Sequence, residues 1–377
     1  MQARRSGKAA SEVTVPPDQS AAPRTPARAR TPPSAKAAAG RSAAGAARPV
    51  PKKMRAAVLR QHGQPPAYQS HPVPHRGAGQ ALIRVTAAPV NPLDLLCASG
   101  TSYFGPPALP YVPGTQGVGV VTEADTLPAG QRVWFSCDAG MRPGDGAMAE
   151  LCVAGESSVQ PLPDAVSDDL AAALGLSAIA AWMALTWRGG LRPGEHVLVL
   201  GASGTVGQVG VQVARLLGAG RVVAACRDSQ GMARAAELGA AAVADLKGAD
   251  VDAIVSRLKD AAGGRLDLVL DPLWGLPAQA ALAVLSPGGR LVNLGSSAGQ
   301  QARVSSAMIR SAQISILGYT NNALSSAQKA AAFAEILAHA AAGRLTADRE
   351  RYPLAQIADG WARCGQPPHR RSVMIPP

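Results

Sequence analysis

The segment Gly201-Ala-Ser-Gly-Thr-Val-Gly207 constrains this chain more than any other. It follows the run His196–Leu200, which has the composition of a strand, and opens a stretch from about Val206 to Leu217 that reads as a helix ending at Gly218. Written as Ala202-x-Gly204-x-x-Gly207, it matches the turn by which a strand–turn–helix unit holds a dinucleotide. Gly204 lets the backbone approach a diphosphate, Gly207 lets the helix pack close to the strand, and N–H groups at the helix start attract negative charge. A second strand, Arg221–Ala225, closes the unit within the ~30 residues such a motif needs. Ala202, Ser203, Gly204, Thr205, Val206 and Gly207 are therefore the candidate diphosphate cradle. A tight turn without a ligand is the alternative.

Around this turn the pattern alternates. A helix near Met232–Leu238, a short strand Ala241–Ala244, a helix near Val251–Ala262, a strand Leu266–Leu270, a helix near Pro277–Leu285 and strands at Arg290–Leu294 and Ile314–Leu317 follow in order. Strands alternating with helices of this length specify an α/β, Rossmann-type doubly wound parallel sheet. Between Met54 and Ser167 the signals are instead short strands, such as Ala81–Val85 and Val118–Thr122, separated by Pro and Gly clusters. A helix from Asp168 to Trp187, apolar on most faces, joins the two regions; a long helix, Ser326–Ala342, and a strand near Ser372–Ile375 close the chain. The expected organisation is a tail (1–53), a β-rich domain (54–167), a dinucleotide-binding domain (168–317) and a C-terminal return to the β-rich domain (318–377). With 377 residues and 47% apolar content, two cores can be filled.

The formal charge of +12 suggests nucleic acid, but its distribution does not. Eleven basic residues up to Lys53, against Glu12 and Asp18, carry +9 of it and leave +3 for everything that follows. That tail is rich in Ala, Pro, Arg and Ser and lacks Leu, Ile and aromatic residues, a composition expected to be disordered. Its Arg-rich, acid-poor character is shared with organellar transit peptides, while Met54 is an alternative translation start. Five cysteines without a C-x-x-C pair point to a reducing, cytoplasmic setting rather than to a disulfide framework. No run of about 18 uninterrupted apolar residues is apparent, so no membrane association is expected.

Cofactor choice is read at the end of the second strand. Arg227 stands where chains that bind NAD place an acidic residue for the ribose hydroxyls, and a guanidinium there suits the 2′-phosphate of NADP(H). Asp228, beside it, reads as a helix cap. Asp271, ending one strand, and Leu294, Gly295 and Ser296, following another, lie at the carboxyl edge where open α/β sheets bind ligands.

Several further segments, taken in order, carry a family resemblance: Met54-Arg-Ala-Ala-Val-Leu59, Ala87-Ala-Pro-Val-Asn-Pro-Leu-Asp94, Leu109-Pro-Tyr-Val-Pro-Gly114, Gly130-Gln-Arg-Val-Trp134, Ala171-Ala-Ala-Leu-Gly175 and Leu191-Arg-Pro-Gly-Glu-His-Val-Leu-Val199. With the Gly-rich turn they make Met54–Pro377 resemble the medium-chain dehydrogenase/reductase superfamily, and Asn91-Pro92-x-Asp94 resembles its quinone oxidoreductase branch. The resemblance implies a GroES-like fold for the β-rich domain, a homodimer, a segment Gly318-Tyr319-Thr-Asn-Asn322 near the nicotinamide, and at Arg370-Arg371 a position that reaches cofactor or substrate, with a solvated surface pair as the alternative. Zinc-dependent members would carry ligands at Asn91, at Thr115 and near Leu176; this chain has none there, so the expected metal content is none. Gln116 replaces a common Glu, and Leu96 stands where quinone reductases often carry a Tyr.

Without a metal to polarise a carbonyl, hydride transfer favours conjugated acceptors, whose developing charge hydrogen bonds alone can stabilise. The expected activity is thus NADPH-dependent reduction of a small quinone- or enone-type substrate. The candidates are Asn91 as an amide donor or turn cap, Asp94 as a titrating group or helix cap, and Tyr103 (with Tyr111) as a proton donor or packing residue. A metal-free NADP-dependent alcohol dehydrogenase is the alternative enzyme. A non-catalytic nucleotide- or nucleic-acid-binding protein is the alternative of another class, with any nucleic-acid contact confined to the basic tail.

Overall fold

The structure, a computed structural model, describes residues 52–377. The expectations for the tail up to residue 51 lie outside the described residues. The chain begins β1 (Lys53–Val58), β2 (Ala67–Pro72), β3 (Gln80–Pro89), α1 (Pro92–Ala98), β4 (Gln116–Glu123), β5 (Arg132–Ser136), β6 (Leu151–Gly155) and β7 (Val159–Pro161). After α2 (Asp168–Met183) come β8 (His196–Leu200), α3 (Thr205–Leu216), β9 (Arg221–Cys226), α4 (Ser229–Glu237), β10 (Ala242–Asp245), α5 (Val251–Ala262), β11 (Leu268–Asp271), α6 (Gly275–Val284) and β12 (Arg290–Asn293). The last elements are α7 (Ser306–Ala312), β13 (Ser315–Gly318), α8 (Ser326–Ala341), β14 (Arg349–Pro353), α9 (Ile357–Arg363) and β15 (Arg371–Ile375).

Two sheets organise these elements. One is six-stranded and parallel, in the order β10-β9-β8-β11-β12-β13. The order reverses between β8 and β11, and ligands bind outside the carboxyl ends of strands at such a reversal. The inner strands β8 and β11 are nearly continuous apolar runs because both faces of the sheet are covered. The other sheet is seven-stranded: β14-β15-β3-β4-β5-β7, with β6 also pairing β3. Its first two strands come from the C-terminus, so the last segment of the chain returns to the β-rich domain. The α/β architecture with a GroES-like β-rich domain is the one expected from the sequence.

Helix α2 is the seam. It continues through a π-helical turn at Ala184–Arg188 and packs on β3, β4, β14 and β15 on one side and on α3 and α8 on the other. Counted from Asp168 to Arg188, it is long and apolar enough by composition to cross a membrane, which corrects the expectation that no such segment exists. Its mean hydropathy is 1.7, and 72% of its most apolar window is buried inside the fold, as a core helix between two sheets requires.

Among the strands not read from the sequence are β2, β6, β7 and β14. β14 has the sequence Arg-Glu-Arg-Tyr-Pro, with no apolar alternation to mark it. It is an edge strand whose ladder neighbour is β15, and edges tolerate charge and proline.

Candidate active site

The turn after β8 has the form its glycines imply. A Cβ on Gly207 would lie 2.3 Å from the Gly201 carbonyl oxygen and 2.6 Å from Ala202 Cα, so only glycine lets α3 start this close to β8. At Gly204 a Cβ would meet nothing nearer than 3.5 Å, which leaves the backbone open to a ligand. Gly204 is also the N-cap of α3 and brings no side-chain acceptor to it. The first-turn N–H groups of Thr205, Val206 and Gly207 have no intrahelical partner, and an uncapped helix start suits the diphosphate of a dinucleotide. Ala202 corrects the sequence reading: its side chain is fully buried and its N–H donates to the Ala225 carbonyl at 3.1 Å, extending the β8–β9 ladder. Ser203 and Thr205 are buried beside it, and Val206 is half-buried.

The neighbouring strand ends divide into open and closed groups. Arg227, just past β9, is exposed and makes no hydrogen bond or ion pair among the described residues. Asp228 is the N-cap of α4 and accepts from the Gly231 N–H. Asp271 corrects another expectation. It is fully buried, accepts the Leu273 and Trp274 N–H groups at 2.9 Å each and the Asn293 amide at 2.9 Å, and so shapes the turn rather than facing a ligand. Burial raises its pKa, and the Asn293 hydrogen bond and the two backbone donors oppose that rise. Leu294 and Gly295 fold over the same turn: the Leu294 N–H bonds the Asp271 carbonyl at 2.9 Å, and the Gly295 carbonyl accepts from Asn293 at 2.8 Å. Ser296 follows, closing a turn to Gly299.

At the junction with the β-rich domain a second group assembles from five segments. Helix α2 is broken at Gly175 (φ 25°, ψ −128°), where a Cβ would fall 1.9 Å from Gln116 Oε1. The break turns the Leu176 N–H toward that oxygen, at 2.7 Å. The Trp134 indole N–H donates to the same oxygen at 3.0 Å. Both partners are donors only, so the Gln116 amide has one permitted orientation, and its Nε2 faces Asn91 Oδ1 at 3.4 Å. Asn91 in turn directs Nδ2 toward Thr115 Oγ1 at 3.5 Å, with its second hydrogen unpartnered among the described residues. Asn321 Nδ2 holds the Leu176 carbonyl at 2.9 Å, and the Tyr319 hydroxyl donates to Asn321 Oδ1 at 2.7 Å. Tyr319 thus reaches the group through Asn321. The sequence reading gave Gly175, Trp134 and Asn321 no individual role, although each lies in a segment that carries the family resemblance, and it treated Gln116 only as a departure.

Asp94 lies beneath this group as the partner of backbone donors: Oδ2 accepts the Asn91 N–H at 2.8 Å and Oδ1 the Thr115 N–H at 2.9 Å. Burial pushes its carboxyl above the usual aspartate range, and the two hydrogen bonds and the Arg371 charge oppose the shift. Arg371 is corrected from a cofactor contact to a buried tie. Its guanidinium donates to the Val90 carbonyl at 2.7 Å and to Ser177 Oγ at 2.9 Å, clamping the residues that flank Asn91 and Leu176. Tyr103 does not join: it is 76% exposed, tilted against Phe104, and forms no hydrogen bond among the described residues, because the Pro- and Gly-rich loop carries it outward. Tyr111 is buried, with its hydroxyl unpartnered among the described residues.

The family description "Alcohol dehydrogenase GroES-like domain" matches residues 77–164, and "Zinc-binding dehydrogenase" matches residues 205–337. A solved mycobacterial quinone oxidoreductase superposes with a TM-score of 0.76 at 25% identity, over 86% of this chain and 100% of the other. The chain belongs to the medium-chain dehydrogenase/reductase superfamily, in its quinone oxidoreductase-like branch. Among relatives in this superfamily, quinone oxidoreductase of Rattus norvegicus is 33% identical over 61% of this chain and 66% of its own length. A phenolphthiocerol/phthiocerol polyketide synthase of Mycobacterium tuberculosis is 35% identical over 64% of this chain but only 11% of the synthase polypeptide. A mycobacterial structure complexed with NADPH matches with a TM-score of 0.76 at 25% identity. The superfamily includes zinc-binding members, yet the donor set does not fit zinc. Asn91, Thr115 and Leu176 do converge here, but they offer an amide, a hydroxyl and an aliphatic chain instead of thiolate, imidazole or carboxylate.

Proposed function

We propose that this chain is an NADPH-dependent reductase of small activated carbonyl or alkene compounds, of quinone or enone type, and that it works without zinc. One observation carries the reading: a relay of fixed polarity, from Trp134 through Gln116 to Asn91, leaves an amide hydrogen unpartnered in the junction between the two sheets. The names of the rat and mycobacterial quinone oxidoreductases and the NADPH complex support it.

A bound nicotinamide would supply the hydride. The chain's residues do the rest. The first turn of α3 holds the diphosphate with backbone N–H groups, and Arg227 supplies a forked cation to the 2′-phosphate. Asn91 donates its free amide hydrogen to the acceptor oxygen, where negative charge develops as the hydride arrives at the conjugated carbon. Donors fixed before reaction cost no reorganisation when that charge appears. A plain ketone localises the same charge on one oxygen, which a single amide stabilises less well than a metal would. No side chain of the junction is placed as a proton donor, so the proton is taken from solvent after hydride transfer.

Two measurements test this. Titration with NADPH and NADH should show NADPH preferred, and Arg227→Ala should weaken NADPH by about tenfold or more while leaving NADH unchanged. An unchanged NADPH preference in the variant removes Arg227 from the site. Separately, a panel of quinones, enones, aldehydes and alcohols should give NADPH oxidation with the first two classes. Activity confined to alcohols with NADP, or stoichiometric zinc needed for turnover, overturns the proposal.

A further inference from the structure

An open cavity of about 730 Å³ borders the turn before α3 and the junction without sharing a lining residue with either. It is lined by Asp169 at the start of α2, Arg234 on α4, Thr346–Arg349 and Arg351 at β14, and Arg370 before β15. Four guanidiniums face two carboxylates. Asp348 is taken up by Arg234 (2.9 Å) and Asp169 by Arg349 (3.0 Å). Arg351 and Arg370 are exposed and have no hydrogen bond or ion pair among the described residues. The lining is therefore polar with two uncompensated positive charges. Guanidiniums in this arrangement match the oxygens of phosphate, with the paired arginines holding the walls in place.

The cavity's position gives it a further property. The Asp348 N–H donates to Gln208 Oε1 at 3.0 Å, and Gln208 Nε2 donates to the Ser203 carbonyl at 3.0 Å, inside the turn before α3. The Asp348 carbonyl accepts the Arg371 N–H at 2.8 Å. One wall residue is thus bonded both to the diphosphate cradle and to the residue that clamps the junction. Neither Arg227 nor any residue of the cradle lines the cavity, although His369, the neighbour of Arg370, lies 3.9 Å from Asp228 beside Arg227.

We propose that this cavity is a second anion site, distinct from the dinucleotide groove, that takes the phosphate or diphosphate group of a small phosphorylated ligand. Arg351 and Arg370 are its recognition residues, and Arg234 and Arg349 are its positioned walls. Ligand there bears on Asp348, and through Gln208 on the turn that holds the cofactor.

The test is calorimetry on the full chain already saturated with NADPH, using inorganic pyrophosphate and 3′,5′-ADP as separate probes. Saturable binding of pyrophosphate indicates a site for the free anion; binding of 3′,5′-ADP alone indicates a nucleotide-borne phosphate. Either supports the proposal, provided that Arg351→Ala/Arg370→Ala weakens it by about tenfold or more. Both side chains are exposed, so the double variant is expected to melt as the parent does, and its circular dichroism is recorded alongside. No binding of either probe, binding unchanged in the double variant, or binding seen only before NADPH is added overturns the proposal. The proposed reductase activity is untouched by any of these outcomes, since its own test is the substrate panel.

Discussion

The turn after β8 and the junction around Asn91 are the two parts of the proposed site, yet they are built by opposite means. The turn is seven consecutive residues whose working parts are backbone N–H groups; its side chains matter chiefly by being small. The junction draws on residues 91, 115, 116, 134, 175, 176 and 321, and its working parts are side-chain amides whose orientation passes from one to the next. A backbone device is robust to neighbouring sequence but intolerant of a single Cβ. A side-chain relay tolerates bulk at many positions but fails when one donor is exchanged for an acceptor. The two regions should therefore break in different ways.

The largest effect on function is expected at the turn, where cofactor binding as a whole is at stake. Gly207→Ala puts a methyl group 2.3 Å from the Gly201 carbonyl oxygen, against backbone that has no rotamer to escape into. Overpacking of this kind costs about 1–3 kcal/mol, and here the strain relaxes by opening the cradle. Thermal unfolding with and without NADPH should show a lowered midpoint and the loss of stabilisation by the cofactor. Full retention of that stabilisation would show that α3 does not need its close approach to β8.

Next comes the relay. Gln116→Met keeps the volume but strands the Trp134 and Leu176 N–H groups, at a cost of about 2–4 kcal/mol, measurable by urea denaturation. Gln116→Glu is the more informative change. It preserves the acceptor for both donors and sets an oxygen against Asn91 Oδ1, which drives the Asn91 amide to turn over. Loss of one oriented donor to a developing oxyanion costs on the order of 10²–10³ in kcat. The Glu variant should therefore fold better than the Met variant and turn over worse than the parent, with NADPH affinity unchanged. A Glu variant as active as the parent separates Asn91 from the chemistry.

These expectations also show what could be read from sequence. The turn was legible because its motif is contiguous and its strand and helix are marked by their own apolar periods. The residues at the positions where zinc-dependent relatives would carry ligands were legible, since Asn91 and Thr115 are identifiable by flanking motifs. Their bonding partners were not legible. The bond from Gln116 to Leu176 spans 60 residues and exists only because Gly175 breaks α2, and nothing in Ala-Ala-Ala-Leu-Gly announces a break rather than a helix interior. Arg371 was placed near the cofactor for the same reason: its neighbours Val90 and Ser177 are 281 and 194 residues away in sequence, so its burial could not be inferred.

A smaller effect tests the ground beneath the relay. Burial raises the Asp94 pKa, so the folded state holds this proton more tightly than the unfolded chain does. The carboxyl's contribution to stability is then greatest at acid pH and falls as pH rises from about 4 through the raised value. The stability of the parent relative to Asp94→Asn, followed by urea midpoints across that range, should decline with pH. The opposite slope would mean that the Asn91 and Thr115 N–H groups and the Arg371 charge together outweigh desolvation, making Asp94 a true anion in the fold.

The smallest effect belongs to Tyr103, and it sharpens the comparison by what it leaves unchanged. A general acid in the junction contributes about 10²–10⁴-fold, so Tyr103→Phe would be severe if that hydroxyl delivered the proton. With the side chain 76% exposed on its loop, kcat is expected to stay within about twofold of the parent, and solvent remains the proton source. A drop of about tenfold or more, with quinone KM unchanged, would mean that the loop carrying Tyr103 closes over the junction during turnover. The site would then have a sixth segment that the relay alone does not reveal.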